Sequence, residues 1–441
     1  MLGKVAKIDQ AKRSRADRRI DNWRRLCDNL GQLLQLANVM APRTFRGTAY
    51  NSITATKNSQ SILGTPKPDW LEALGGNNTI ITGDGNDVVL AGVDYLRNGN
   101  YDPFGGEAIF WNPRADAGNN VISTGKGNDY VATGKGDDFV DLGDGDDIYD
   151  GAGSSLNYSG NDTIFGGAGK DIIYAWGGGN KTIDGGLGDD VISVISNDPG
   201  VYRDQISGGE GNDKITVSAS NNIILVDAGT GNDFMDVSGD NGTFAGGAGN
   251  DDIYAFGGKV LGGTGNDLIF MDTFDASAKP GVVDGGAGDD VICTSFFDFP
   301  STGKSIVYGG AGNDKIFSGT GDDIIYDGDG DDVINLRGGF VNLRGGSLTT
   351  SDYFGADKVE IKGGGIDTVY LGEGKDTVML GKAGKATIYG FMAADQLDFG
   401  GLVVTQSRNA QGDTIFTTND ASLGQIQLAT LVKYTGTVSI I

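Results

Sequence analysis

Glycine and aspartate recur together at a fixed spacing along most of the sequence. The motif x-Gly-x-Gly-x-Asp-x-U-x, in which U is an aliphatic or large apolar residue, occurs sixteen times between residues 82 and 379. Of the 59 acidic residues, 54 are Asp and 5 are Glu, which favours carboxylates that must fit inside tight loops. Ca²⁺ accepts six or more carboxylate and carbonyl oxygens in a flexible geometry. The spacing therefore predicts a series of calcium sites.

The composition argues against several other kinds of chemistry. The chain has no His, which removes the commonest general base, zinc ligand and triad member. Cys27 and Cys293 are too few for a disulfide framework. The net charge of −25 repels nucleic acid, and no stretch reaches the roughly 18 apolar residues of a membrane span. We therefore assign no catalytic residue and expect a protein that is not an enzyme, binds no nucleic acid and does not span a membrane.

Each part of the motif has a mechanical role in the elements that position the aspartates. The glycines permit positive φ and close backbone approach, so that six residues can form a sharp turn. The x-U-x portion predicts a short strand with U pointing inward. Two nonapeptides then form one turn of a coil, and successive turns stack through backbone hydrogen bonds at about 4.8 Å. Stacking brings the loop Asp of one turn next to a loop of the following turn.

These residues resemble the RTX (repeats-in-toxin) family of hemolysin-type calcium-binding repeats. The resemblance covers roughly residues 73–388 and implies an all-β fold, a right-handed parallel β-roll (β-solenoid) with calcium in the turns. It also implies that the Asp at the sixth place of each repeat is a metal ligand. These ligands are Asp87, Asp129, Asp138, Asp147, Asp171, Asp190, Asp213, Asp233, Asp251, Asp267, Asp290, Asp314, Asp323, Asp332, Asp367 and Asp376. At the fifth place Lys170, Ile366 and Lys375 depart from the usual Asn or Asp.

Degraded nonapeptides lie between many of the full repeats, at 73–81, 115–123, 176–184 and 300–308. Their sixth places hold Asn78, Asn120, Lys181 and Ser305. Lys181 brings its own positive charge to a place where a calcium ligand would stand. The alternation predicts a calcium ladder along one edge of the coil for most of its length, with longer, calcium-poor loops along the other edge.

The two ends of the chain differ from the repeats. Residues 1–40 combine a basic cluster with apolar residues at three- and four-residue steps, which predicts a helical segment; it either caps the coil or anchors the protein to a surface. Residues 41–72 are rich in Ser, Thr and Asn, which predicts a linker. Residues 389–441 predict a β-cap with a type I secretion signal, since Gly390, Phe391, Asp395 and Leu397 match the tail that follows RTX repeats.

For function, the hypothesis favoured by the sequence is a secreted, calcium-dependent structural protein that assembles with itself on the bacterial cell surface, as an S-layer, fibril or similar coat. The basic N-terminal segment is an expected contact for surface polysaccharide, lipopolysaccharide or a neighbouring acidic subunit. The alternatives are a polysaccharide-binding or adhesive module and a calcium-dependent polysaccharide lyase. Arg203, Arg337 and Arg344 are the arginines considered for the lyase, but nothing in the sequence groups them around a cleft.

Overall fold

The structure is a computed structural model. It describes residues 51–55, 61–73, 76–94, 112–113, 118–151, 160–196, 202–219, 223–272, 280–294, 305–318, 324–330, 332–336, 358–361, 367–371, 375–380, 386–420 and 424–441. The predicted N-terminal helical segment therefore lies outside the described residues. Among the described residues there is no helix, and so none that is long and apolar enough to cross a bilayer.

The chain forms a parallel β-solenoid with two facing sheets, as the sequence predicts. Sheet A consists of strands that each pair in parallel with the strand of the following coil. They are Asn51–Ala55, Asp69–Ala73, Val88–Ala91, Tyr130–Thr133, Ile148–Asp150, Ile172–Trp176, Val191–Ser196, Lys214–Ala219, Phe234–Ser238, Asp252–Phe256, Leu268–Asp272, Val291–Cys293, Lys315–Ser318, Val333–Leu336, Asp367–Tyr370 and Ala386–Tyr389.

Sheet B is built in the same way from the alternate strands of the chain. They are Ser61–Leu63, Thr79–Asp84, Val121–Lys126, Phe139–Asp141, Asp162–Ala168, Lys181–Leu187, Arg203–Glu210, Ile223–Thr230, Thr243–Ala248, Lys259–Thr264, Gly281–Ala287, Ser305–Ala311, Ile324–Asp329, Lys358–Ile361, Thr377–Leu380, Gln396–Asp398 and Ser439–Ile440. Val93–Asp94 and Asn112–Pro113 form a separate antiparallel pair.

The apolar core is the narrow space between the two sheets. On sheet A the U residue of each repeat points inward, as at Ile192, Ile215 and Met235, which are fully buried. On sheet B, Val226 and Phe244 fill the same layer from the opposite side. Strand alternation places every second side chain on this inner face, so one apolar residue per short strand suffices to continue the core from coil to coil.

Glycine allows neighbouring coils to stack closely at the loops. Gly209 and Gly211 have φ of 115° and 137°, a region that other residues rarely adopt. A Cβ on Gly209 would also lie less than 3.0 Å from the carbonyl oxygen of Gly186 in the preceding coil. The two glycines of each repeat are therefore required both for the turn and for stacking.

Both boundaries of the coil differ from the predicted ones. The prediction of a linker over 41–72 is wrong for its described part, because Asn51–Ala55, Ser61–Leu63 and Asp69–Ala73 already pair as solenoid strands. These coils lack the repeat motif, so composition alone gave no signal of them. At the other end Gln396–Asp398 still continues sheet B.

Beyond that strand the chain turns to antiparallel pairing. Val404–Arg408 pairs with Thr414–Asp420, which pairs with Gly424–Leu431, and the last of these joins Ala386–Tyr389 of sheet A. The final coil is thereby joined to a small sheet.

Candidate calcium sites

Most of the predicted ligands lie on one edge of the coil. We call the loops that lead from sheet B to sheet A the first edge, and those that lead from sheet A to sheet B the second edge. The sixth-place aspartates of the first edge are Asp87, Asp129, Asp147, Asp171, Asp190, Asp213, Asp233, Asp251, Asp267, Asp290, Asp314, Asp332 and Asp367. Asp367 opens its strand, and its side chain is not described.

The central repeat of the first tandem triplet has its Asp on the opposite edge, because two nonapeptides make one turn. Asp138 precedes the sheet B strand Phe139–Asp141, and Asp376 precedes Thr377–Leu380. Both therefore belong to the second edge. Asp323, the central Asp of the other triplet, lies outside the described residues.

One carboxylate oxygen of each first-edge Asp from Asp87 to Asp332 links two coils. The Asp190 amide donates to Asp213 Oδ1 (2.8 Å), and the Asp213 amide donates to Asp233 Oδ1 (2.7 Å). The same bond recurs at every described junction from Asp69 to Asp332. The backbone of one coil thus holds the carboxylate of the next in a fixed orientation.

The second oxygen of nine of these carboxylates is buried without a hydrogen-bond partner. An unpartnered buried Oδ2 is found in Asp147, Asp171, Asp190, Asp213, Asp233, Asp251, Asp267, Asp290 and Asp314. Burying a charged group in this state is unfavourable unless it is paired or coordinates a metal. Burial accordingly raises the pKa of Asp190 and of Asp267 to about 7, and that of Asp147 to about 9.

The orphaned oxygen faces a cradle that only glycine leaves open. A Cβ on Gly208 would lie less than 3.0 Å from both Asp213 Oδ2 and the carbonyl oxygen of Ala228 in the next coil. Gly262 stands in the same relation to Asp267 Oδ2 and the carbonyl oxygen of Gly285. Carboxylate and carbonyl oxygens from consecutive coils therefore converge on one small space, as a site for a hard cation requires.

Each calcium site on this edge must combine few carboxylates with several backbone carbonyls. Among the described residues no three His, Cys, Asp or Glu side chains come together in a compact group. The sixth-place carboxylates instead follow one another at one per coil, about 4.8 Å apart. When bound, calcium supplies the positive charge that offsets these buried carboxylates and joins oxygens of neighbouring coils.

The fifth-place residues form a second ladder, which the sequence reasoning did not foresee. The backbone amide of Asn232 donates to Asn212 Oδ1 (2.8 Å), and the backbone amide of Asn250 donates to Asn232 Oδ1 (2.7 Å). These bonds run in the opposite direction to those of the sixth place, so two antiparallel ladders tie neighbouring coils together at most of the described junctions. Lys170 lacks such an acceptor and pairs with Asp189 of the next coil, which lowers the pKa of Asp189 to about 2.

Several carboxylates in register with the predicted ligands were missed. Asp69 aligns with Asp87 on the first edge. Asp162 and Asp204 align with Asp138 and Lys181 on the second edge, and Asp395 with Asp376. Their loops lack the full glycine pattern, although the Gly-Asn-Asp triplet at 160–162 is a signal that could have revealed Asp162.

Comparison with known proteins agrees with the repeat analysis. The family model of the RTX calcium-binding nonapeptide repeat matches residues 63–95, 114–152, 158–181, 200–235, 272–296, 308–340 and 363–384. A search of the curated proteins finds no match. The chain is also similar to the crystal structure of a hyperactive, Ca²⁺-dependent, β-helical antifreeze protein from an Antarctic bacterium. That similarity has 19% identity and a TM-score of 0.37, over 78% of this chain and 87% of the other. The repeats, their buried carboxylates and the family match together show that this chain carries RTX calcium-binding nonapeptide repeats.

Proposed function

We propose that this protein is an extracellular structural protein that requires calcium to fold and then associates with copies of itself into a coat on the bacterial surface. It acts without catalysis, and export proceeds by a type I system that reads the C-terminal part of the chain. The buried ladder of the first edge supports the role of calcium. The outer face of sheet B supports self-association.

An exposed apolar patch on the first coils of sheet B carries the proposal. Leu63, Ile81, Val121 and Phe139 are 69%, 47%, 48% and 42% exposed. The strand register places Leu63 beside Ile81 and Val121 beside Phe139 on one face. The two pairs lie diagonally, offset by two residues, because Ile81 pairs with Ser123 and Val121 with Thr79. Contiguous exposed apolar surface marks interaction sites on soluble proteins. A flat, rigid face of this kind suits lateral packing against a second copy.

The charge distribution supports the same assembly. Residues 1–50 hold eleven Lys or Arg and four Asp, which gives them a net charge of +7. Because the whole chain has a net charge of −25, the remaining residues have a net charge of −32. Opposite charges at the two surfaces favour contact between the basic segment of one copy and the acidic coil of another. A contact between two different surfaces builds filaments or sheets wherever the rotation between successive copies does not close into a ring.

Electron microscopy of the full chain in millimolar calcium tests the proposal directly. We expect ordered polymers from the unaltered protein and far fewer from the double variant Ile81→Asp, Val121→Asp. The matched control is Thr182→Asp, Gln205→Asp, which adds the same charge at exposed positions of the same face. Removal of residues 1–50 should leave a folded coil that assembles poorly. Absence of polymers from the unaltered protein at every calcium concentration would overturn the coat proposal.

A polysaccharide-binding role is the second candidate. Tyr308 and Tyr326 stack on the outer face of sheet B with ring centroids 4.8 Å apart and planes at 5°, and Tyr308 is 40% exposed. Exposed planar rings of this kind provide surfaces on which sugar rings stack. Titration with an acidic polysaccharide separates the two roles, because binding that Tyr308→Ala abolishes would favour the adhesive module.

A further inference from the structure

Lys181 is a buried cation at a position that the repeat reserves for a ligand of calcium. It occupies the sixth place of the nonapeptide 176–184 on the second edge and is 2% exposed. Lysine is almost never fully buried unless its charge is paired. The surroundings of its ammonium group therefore define what this part of the second edge is built to hold.

Three oxygens surround the ammonium group. Lys181 Nζ donates to Asp162 Oδ2 (2.6 Å), to the Gly160 carbonyl (2.8 Å) and to the Gly178 carbonyl (3.2 Å). One carboxylate oxygen and two loop carbonyls are the kinds of oxygen that converge at the first-edge cradles. In the first-edge aspartates from Asp147 to Asp314 Oδ2 has no partner, whereas Asp162 Oδ2 is bonded to Lys181.

The backbone around Lys181 keeps the architecture of the first edge. The Lys181 amide donates to Asp204 Oδ1 (2.9 Å), which is the sixth-place ladder bond. The Asn180 amide donates to Asn161 Oδ1 (2.9 Å), which is the fifth-place ladder bond. The fifth-place ladder thus passes through this loop. The sixth-place ladder continues from Lys181 to Asp204 but is interrupted before it, because the lysine side chain has no acceptor and the Asp162 amide donates to the Asn180 carbonyl (3.0 Å) instead.

A neutral version of the same substitution stands further up the second edge. Asn120 Nδ2 donates to the Gly118 carbonyl (2.8 Å) and to Asp138 Oδ1 (2.9 Å). Here a side-chain amide supplies the donor that bridges a loop carbonyl and a carboxylate. The two positions share one arrangement, in which a nitrogen attached to the chain meets oxygens of neighbouring coils.

We infer that the Lys181 ammonium is a covalently attached substitute for a calcium ion, so that the second edge is closed at residues 160–204 without calcium. The coil there depends on the metal at its first edge only. An Asp at position 181 restores the repeat and leaves three carboxylates in succession, with Asp162 and Asp204, which a divalent cation can bridge. This inference concerns folding and does not depend on the assembly of a coat.

The test compares Lys181→Asp with Lys181→Met at increasing calcium concentrations. Native mass spectrometry should show one additional bound calcium in Lys181→Asp. Amide hydrogen exchange over 160–184 should show full protection in Lys181→Asp only at high calcium. In Lys181→Met protection should fall by about 100-fold or more at every calcium concentration, because removing one partner leaves a buried charge uncompensated. Lys170→Met is the matched control, since its ion pair with Asp189 also joins two coils but is exposed.

A second test measures hydrogen exchange in the unaltered protein, so it does not depend on whether a variant folds. The Lys181 amide and the Asp190 amide lie in the same coil and donate to Asp204 Oδ1 and Asp213 Oδ1 on the two edges. As calcium is lowered, protection at Asp190 should decline before protection at Lys181. Equal calcium dependence at the two amides would overturn the inference. So would a Lys181→Asp protein with no additional calcium and the exchange behaviour of Lys181→Met.

Discussion

The two edges of the coil connect neighbouring coils through different side chains at the sixth place of the repeat. On the first edge an Asp accepts a hydrogen bond from the preceding coil and leaves its other oxygen buried without a partner, as in Asp213 and Asp233. On the second edge the sixth place often carries its own donor, Asn120 Nδ2 or Lys181 Nζ. Backbone register is the same on both edges, so the difference lies in where the positive charge or the donor comes from.

We therefore expect dependence on calcium to be a local property of each loop. A loop that presents only acceptors needs an external cation, because an ionised carboxylate in a dry site must be paired or coordinate a metal. A loop that carries an amide or ammonium group can close without one. The alternation of full and degraded repeats therefore distributes the requirement for calcium along one side of a single continuous core.

Among the tests of the difference between the two edges, removal of calcium is expected to have the largest effect. With dissociation constants of about 0.1–1 mM, each site adds roughly 1.4–2.7 kcal/mol at about 10 mM calcium. Several such sites together exceed the roughly 5–15 kcal/mol of net stability of a typical domain. Excess chelator should leave the coil largely unfolded, as followed by far-ultraviolet circular dichroism. A spectrum that chelator does not change would contradict the assignment of the first edge as the calcium edge.

Acid is expected to stabilise the calcium-free coil, because protonation removes the charge of the buried carboxylates. Burial raises the pKa of Asp213 to about 6, of Asp233 to about 7 and of Asp147 to about 9, from an ordinary value of 3.8. Because the pKa is higher in the folded state, these groups stabilise the calcium-free fold most at low pH, and the contribution is lost as pH rises through about 6 to 9. In chelator the melting temperature should be higher at about pH 5 than at about pH 8. Equal melting temperatures at the two pH values would argue that the carboxylates are not the destabilising groups.

Filling one cradle should remove one site without altering any carboxylate. In Gly208→Ala the new methyl group meets Asp213 Oδ2 and the Ala228 carbonyl, so we expect loss of calcium at that loop. Overpacking of this kind destabilises by about 1–3 kcal/mol. Calcium stoichiometry and the melting temperature measure both effects. Gly239→Ala is the control, because its methyl group would meet mainly the flexible end of Ile224; the same calcium loss there would show that the effect is not specific to the cradle.

The smallest effect is expected from substituting a single carboxylate on one edge or the other. Asp213→Asn keeps the Oδ1 acceptor for the Asp190 amide but removes the charge, so calcium affinity and melting temperature should fall. Asp138→Asn should change both less, because Asn120 already donates to Asp138 Oδ1 from its side chain (2.9 Å). Melting curves over a range of calcium concentrations give the comparison. Equal losses in the two variants would mean that both edges depend on calcium alike.

Much of the first edge could be predicted because the repeat is local. Six residues determine the turn, and the seventh to ninth determine the strand, so Asp233 and Met235 could be assigned to loop and core from their place in the motif. Asp69, Asp162 and Asp204 were missed because the glycines around them are incomplete, although the neighbouring coils impose the same register on them. Asn51–Ala55 was missed for the same reason, since its pairing with Asp69–Ala73 determines its structure more than its own composition does.

Residue types and their spacing predict the type of coil, the inward residue of each strand, the binding of calcium and the unusual character of Lys181. Each of these follows from residue types within one nonapeptide, where φ preferences and side-chain alternation act over a few bonds. The tertiary structure alone decided which edge each Asp occupies, which oxygen is left without a partner and which atoms surround Lys181 Nζ. Those features depend on contacts between residues 16 to 42 positions apart, and only the stacking of complete coils brings such residues together.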